Sequence, residues 1–181
     1  AFIEKARQNR ADKINTCIAC NQACLDRYFV GEISSCLVNP QACHETETII
    51  VPVKQGERIA VIGAGVAAKT AAERGHTVTI FEAETRIGGQ FNLAKEIPGK
   101  LEFLETLRYF QTYIDELNIE LRLSTTATSE ELDKNRFDAV ILASGVWPRW
   151  PSIEGIDQAH VVGYTEVVSG RFEVGPRVAI I

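Results

Sequence analysis

Four cysteines, Cys17, Cys20, Cys24 and Cys36, follow the spacing C-x2-C-x3-C-x11-C in the first forty residues. Three thiolates within eight residues can wrap a cubane, because neighbouring ligands must reach different irons, and a fourth from a following loop closes the site. The chemistry of such a group is one-electron transfer. The competing reading is structural zinc, which takes two C-x2-4-C knuckles separated by a longer stretch. Cys17 and Cys20 make one knuckle, but Cys24 is then surplus, and Cys36 with Cys43 is too wide for the second. A [4Fe–4S] cluster is therefore expected on the four, with Cys43 a free, buried cysteine and His44 a hydrogen-bonded packing residue.

A second chemical pattern follows. Gly63-Ala64-Gly65 comes directly after the apolar run Ile59-Ala60-Val61-Ile62. Gly63 permits a tight strand-to-helix bend, and Gly65 lets the backbone approach a pyrophosphate whose charge sits at the helix N-terminus. Glu82, 19 residues after Gly63 at the end of the next apolar run, is placed to accept hydrogen bonds from an adenosine ribose. Gly88-Gly89-Gln90 strengthens a nucleotide site over a merely structural turn. One spacing departs from the pattern. Only nine residues separate Gly65 from Gly75, about 13 Å of helix, and Ala68 stands where a third glycine belongs. The spacing is that of a chain lacking four residues after Gly65, and a Pro-Ala-Gly-Leu-like insertion would restore G-x-G-x-x-G.

These residues need elements to hold them. Residues 3–15 read as a short helix or linker, and residues 16–45 as a loop-dominated cysteine segment. The run at 59–62 is a strand buried on both faces, residues 66–74 form a helix that stops at Gly75, and Val78-Thr79-Ile80-Phe81 is the second strand of a βαβ unit. Phe103, Leu104, Leu107, Phe110, Ile114 and Leu117 recur at three- and four-residue steps, which predicts a helix over about 100–117 with that face on the sheet. A strand at 119–123, a short helical turn at 130–132 and a buried strand at 139–142 complete the pattern. The fold class is α/β: a Rossmann-like parallel sheet for FAD or NAD(P), preceded by the loop-rich cysteine segment, with the domain incomplete. Trp147 and Trp150 are expected to pack around Pro148 and Pro151, and His76 and His160 to lie at the surface or in turns. The final Arg177-Val178-Ala179-Ile180-Ile181 reads as the start of a buried strand. With no methionine in the chain, this points to a piece of a larger polypeptide.

Composition bounds the function classes. The chain is 45% hydrophobic and 24% charged, with a formal net charge of −5 and basic residues that are scattered, so neither nucleic acid nor an anionic membrane surface is an expected partner. No apolar run approaches a bilayer span, and clustered cysteines fit metal ligation in a reducing compartment, so the expected location is cytoplasmic.

The stretches Ile14-Asn15-Thr16-Cys17-Ile18-Ala19-Cys20-Asn21-Gln22-Ala23-Cys24-Leu25-Asp26, Ser35-Cys36-Leu37-Val38-Asn39-Pro40 and Ala42-Cys43-His44-Glu45 carry a specific likeness. With Gly88-Gly89-Gln90-Phe91-Asn92, Ile97-Pro98-Gly99-Lys100 and Ile141-Leu142-Ala143-Ser144-Gly145, the chain resembles the family of NADPH-dependent 2,4-dienoyl-CoA reductases and trimethylamine dehydrogenase-like NADH:flavin oxidoreductases. The resemblance covers nearly the whole chain and implies the middle of such an enzyme. A TIM barrel with FMN and the substrate site would precede it, and the NAD(P)H domain would follow.

On this likeness residues 1–50 are the cluster segment and linker, 51–172 the first part of the FAD domain, and 173–181 the start of the NAD(P) domain. Cys17, Cys20, Cys24 and Cys36 would ligate the cluster, with Gln22 close to the flavin. Gly63, Gly65, Glu82, Gly89 and Gln90 would hold the FAD pyrophosphate and ribose, the backbone at Ala127 the adenine, and Ala143 and Gly145 the pyrophosphate side again. Arg108 is a weaker cofactor candidate. The implied activity carries electrons from NAD(P)H through FAD and the cluster to FMN, which reduces an unsaturated enoyl- or dienoyl-CoA-like substrate. No Cys-x4-Cys dithiol follows the glycine turn, so a disulfide relay is not the route. Two alternatives stay open: an amine-dehydrogenase type with outward electron flow and ADP in the nucleotide site, and a zinc-stabilised nucleotide-binding module. A homo-oligomer also stays open.

Overall fold

The computed structural model describes residues 2–181. Helix α1 (Phe2–Arg7), a 3-10 turn (Ala11–Lys13) and helix α2 (Leu25–Phe29) lie in the cysteine-bearing arm. The α/β unit follows as β1 (Arg58–Ile62), α3 (Val66–Glu73), β2 (Thr77–Phe81), α4 (Phe91–Ala94), α5 (Glu102–Glu116), β3 (Glu120–Arg122), α6 (Ser129–Asn135), β4 (Ala139–Leu142) and α7 (Tyr164–Val168).

The four strands form one parallel sheet in the order β3-β2-β1-β4, the arrangement of the first half of a doubly wound nucleotide-binding fold. Ile59 pairs with Val78 and with Ala139, and Ile80 pairs with Leu121, so the register runs unbroken from edge to edge. Ala60, Val61 and Ile80 are wholly buried, as strands covered on both faces require. One face packs Ile59, Val61, Val78 and Ile80 against Ala68 and Ala71 of α3 and Ile114 of α5. On the other, Phe81 meets Phe137 edge to face at 5.8 Å, under the Arg122 guanidinium. That second face is bare beyond β1: Val140 and Leu142 of β4 are exposed, Leu142 at 77%.

The arm lies over the helix layer. Arg10 and Lys13 pair with Glu116 of α5, and Lys5, Lys13 and Lys69 stand 6.0, 5.6 and 4.6 Å from the Tyr113 ring centroid. Burial raises the Tyr113 hydroxyl pKa, with Glu73 and Glu116 adding to it, and burial followed by its lysine neighbours lowers that of Lys5. Val66 opens α3, which has eight residues and is about 12 Å long, and Lys69 N–H donates to the Gly65 carbonyl at 3.3 Å.

Residues 177–181 form no strand, and Ile180 and Ile181 are 95% exposed, because no neighbouring strand offers them a ladder. Trp147 is 92% exposed rather than packed, whereas Trp150 lies against Gly163. Cys43 is free but exposed, its backbone in the left-handed region at φ 62°. The His76 side chain is tucked in, its Nδ1 accepting the Glu57 N–H at 3.2 Å. Among the described residues no helix is long and apolar enough to cross a membrane.

Candidate functional site

The carboxyl ends of β1, β2 and β4 converge on one place. Gly63 N–H donates to the Phe81 carbonyl at 2.9 Å, and Ala143 N–H donates to the Ile62 carbonyl at 2.8 Å. Gly63 has φ 93°, and a Cβ there would collide with the Ala143 carbonyl oxygen, so only glycine fits the turn. Gly65 caps α3 at φ 141° and ψ −146°, a conformation open essentially to glycine alone. Past β2, Gln90 Nε2 donates to the Val146 carbonyl at 2.9 Å and ties the Gly88-Gly89 loop to the segment leaving β4. Gly65, Gly89 and Gly145 all have positive φ, and no atom lies within 4 Å of where their Cβ would stand. A rim of bare backbone at the ends of parallel strands suits a diphosphate.

Glu82 leaves β2 half-buried, and its Oε1 accepts the Glu84 N–H at 3.0 Å, which fixes the carboxylate while Oε2 has no protein donor among the described residues. Ser124 N–H and Thr125 N–H donate to the Glu84 and Glu82 carbonyls, each at 2.9 Å, so the loop carrying Ala127 is held beside the acidic strand end. Thr128 then caps α6, its hydroxyl accepting the Glu131 N–H at 3.2 Å. Below the loop, Arg122 bonds Glu120 at 2.9 Å and Glu131 at 3.1 Å. The Arg122 bond is the main reason the Glu120 carboxyl lies below its ordinary pKa; burial opposes it and the Thr79 hydroxyl reinforces it.

The cysteines lie on two strips of the arm held side by side. Ser35 N–H donates to the Ala23 carbonyl at 2.6 Å, and Ser34 Oγ to the Cys24 carbonyl at 3.3 Å, which brings the Cys36 strip against the loop of the other three. That loop turns through two left-handed residues, Ala19 at φ 54° and Asn21 at φ 59°, and Cys17 Sγ accepts the Ala19 N–H at 3.4 Å. None of the thiols is in a disulfide; Cys17 and Cys24 are exposed, and Cys20 and Cys36 are partly buried. Four free thiols on adjoining strips are the donor chemistry an iron–sulfur cluster requires. Among the described residues, however, no three of His, Cys, Asp or Glu are drawn together closely enough to hold a metal ion. Gln22 is exposed on the same loop.

Arg108 is committed to the arm. It donates to the Asp12 and Ile14 carbonyls at 2.6 and 3.1 Å and to Glu105 at 2.8 Å. Two contributors escape a reading by residue type. The Val146 carbonyl positions Gln90, and Asn15 Nδ2 donates to the Val38 carbonyl at 2.7 Å. The one available signal was position: Asn15 lies two residues before Cys17 and Val38 two after Cys36.

Comparison with known proteins agrees with this geometry. A metal reductase of Desulforamulus reducens is 37% identical, over 98% of this chain and 28% of the relative. An N,N-dimethylglycine/sarcosine dehydrogenase of Chromohalobacter salexigens is 33% identical, over 99% of this chain and 28% of the relative. A 2-naphthoyl-CoA reductase solved with 2-naphthoyl-CoA superposes with a TM-score of 0.90 at 36% identity, over 95% of this chain and 27% of that one. The chain thus spans under a third of the length of these relatives. Residues 57–181 match the model of the pyridine nucleotide-disulphide oxidoreductases, although all five cysteines precede that stretch. From β1 onward, with its parallel sheet and glycine-lined strand ends, this chain belongs to the pyridine nucleotide-disulphide oxidoreductase family.

Proposed function

We propose that this chain is the FAD- and cluster-binding portion of a larger NAD(P)H-dependent flavin oxidoreductase that reduces an unsaturated acyl-CoA-like substrate. The observation that carries the reading is the fastening of a four-thiol arm directly onto the helix layer of a nucleotide-binding sheet. The backbone at Gly63, Gly65, Gly89 and Gly145, with Ala143 and Gln90 shaping it, would receive the FAD diphosphate, Glu82 the ribose hydroxyls, and the loop at Ala127 the adenine. Cys17, Cys20, Cys24 and Cys36 would hold [4Fe–4S], with Gln22 close to the flavin. FAD supplies hydride acceptance and the cluster supplies single-electron steps when both are bound. FMN and the substrate site belong to a barrel outside these residues, and the NAD(P)H domain begins near residue 173. The match to a 2-naphthoyl-CoA reductase supports a thioester substrate.

The likeness to an N,N-dimethylglycine/sarcosine dehydrogenase favours a second reading, amine oxidation with electrons leaving outward and ADP in the nucleotide site. Anaerobic titration of the full-length enzyme separates the two. The reductase reading predicts that NADPH or NADH bleaches the flavin and that an enoyl-CoA restores its colour. Bleaching by a secondary amine, with no response to either nicotinamide, would replace it with the second.

A further inference from the structure

Two polar contacts close and fasten the cysteine arm. Asn15 Nδ2 donates to the Val38 carbonyl at 2.7 Å across 23 residues, so one amide joins the incoming and outgoing stems of the loop that carries all four thiols. The bond fixes the amide's orientation, because a reversed group would set its oxygen against the Val38 oxygen. Oδ1 is then buried and meets no donor among the described residues. A half-satisfied buried amide costs more than an apolar side chain of similar shape, so Asn15 earns its position through the bond to Val38. Arg108, on the neighbouring helix α5, spans the Asp12 and Ile14 carbonyls with its two terminal nitrogens and holds Glu105 with Nε. Its planar fork fixes the backbone directly before Asn15. Helix α5 itself is anchored in the core through Thr106 and Ile114, which are 2% and 5% exposed.

We propose that Asn15 and Arg108 are positioning residues for an iron–sulfur cluster on Cys17, Cys20, Cys24 and Cys36: Asn15 closes the loop, and Arg108 fixes the closed loop to α5. The proposal rests on the cluster reading of those thiols. Its physical basis is that a closed loop has lost much of its freedom before its thiols gather, so less is lost when they bind. The clasp therefore acts on how firmly the cluster is held and not on the nucleotide site.

The test uses full-length enzyme purified anaerobically, as wild type and as Asn15→Asp, Asn15→Gln and Arg108→Leu. Iron and FAD per chain are measured, with the rate of iron loss to a ferrous chelator. Asn15→Asp keeps the size but sets an acceptor against the Val38 carbonyl. Asn15→Asp and Arg108→Leu are expected to release iron about tenfold faster than wild type with FAD content unchanged. Asn15→Gln, which keeps an amide donor, is expected to fall between. Release at the wild-type rate in both disruptive variants overturns the proposal, as does faster release with a matching loss of FAD, which marks a general loosening of the fold. Wild-type enzyme without iron overturns the cluster reading itself, an outcome distinct from either.

Discussion

The nucleotide-binding sheet and the cysteine arm are held by different forces. The sheet is built by burial: Ala60, Val61, Ile80 and Phe81 are at most 1% exposed. Among the described residues up to position 50 only Ile18 and Ala23 are buried, while Phe29 is 77% and Tyr28 68% exposed. The arm is placed instead by polar contacts: Arg108 on two carbonyls, Asn15 on a third, and Arg10 and Lys13 on Glu116. Burial holds the sheet through its own side chains, whereas hydrogen bonds of about 1 kcal/mol each hold the arm more weakly.

The largest expected break in this comparison is a matched pair of truncations. Ile80→Ala should remove about 4 kcal/mol of unfolding free energy in urea, and Phe29→Ala should change it by less than about 0.5 kcal/mol. Comparable losses would mean that the arm, too, has an apolar core. Next comes Gly63→Ala, which forces a Cβ onto the Ala143 carbonyl at φ 93° and should remove about 3 kcal/mol, with FAD lost on gel filtration. Thr128→Ala removes the cap of α6 and should cost about 1 kcal/mol by the same denaturation measurement, leaving iron content unchanged.

The smallest effect is at the exposed Glu120. Its folded pKa is depressed, so its contribution is present above the ordinary value of 4.5 and is lost as the pH falls through the lower folded value. Wild type should therefore melt slightly above Glu120→Gln at pH 7, with the gap closing as the pH falls below 4.5. A gap that widens in acid would reverse the sign of the assignment.

The sheet was legible because its signals are local. The runs at 59–62, 78–81 and 139–142 became β1, β2 and β4, and the three- and four-residue spacing of Phe110, Ile114 and Leu117 gave α5 within two residues at its start and one at its end. Helices α2, α4 and α7 have only five, four and five residues, too few for periodicity to show, and they were not foreseen. The arm's place on the helix layer depends on pairings over roughly a hundred positions, Arg108 with Ile14 and Arg10 with Glu116, which no local pattern encodes. The glycine turn is legible because Gly63 directly follows an apolar run, and it leads into the eight-residue α3. Cys43 and Trp147 were assigned to packing by residue type, yet both are exposed, because burial is set by neighbours.

The central claim is that the thiols of the arm carry an iron–sulfur cubane next to a flavin-binding sheet. Mössbauer spectroscopy of anaerobically purified, iron-57-enriched full-length enzyme, with iron, sulfide and FAD counted on the same sample, tests it most directly. The account predicts about four iron and four sulfide per chain beside FAD, in the mixed-valence pattern of [4Fe–4S], lost in Cys24→Ser with FAD retained. A colourless arm, or one zinc ion in place of the iron, would contradict it.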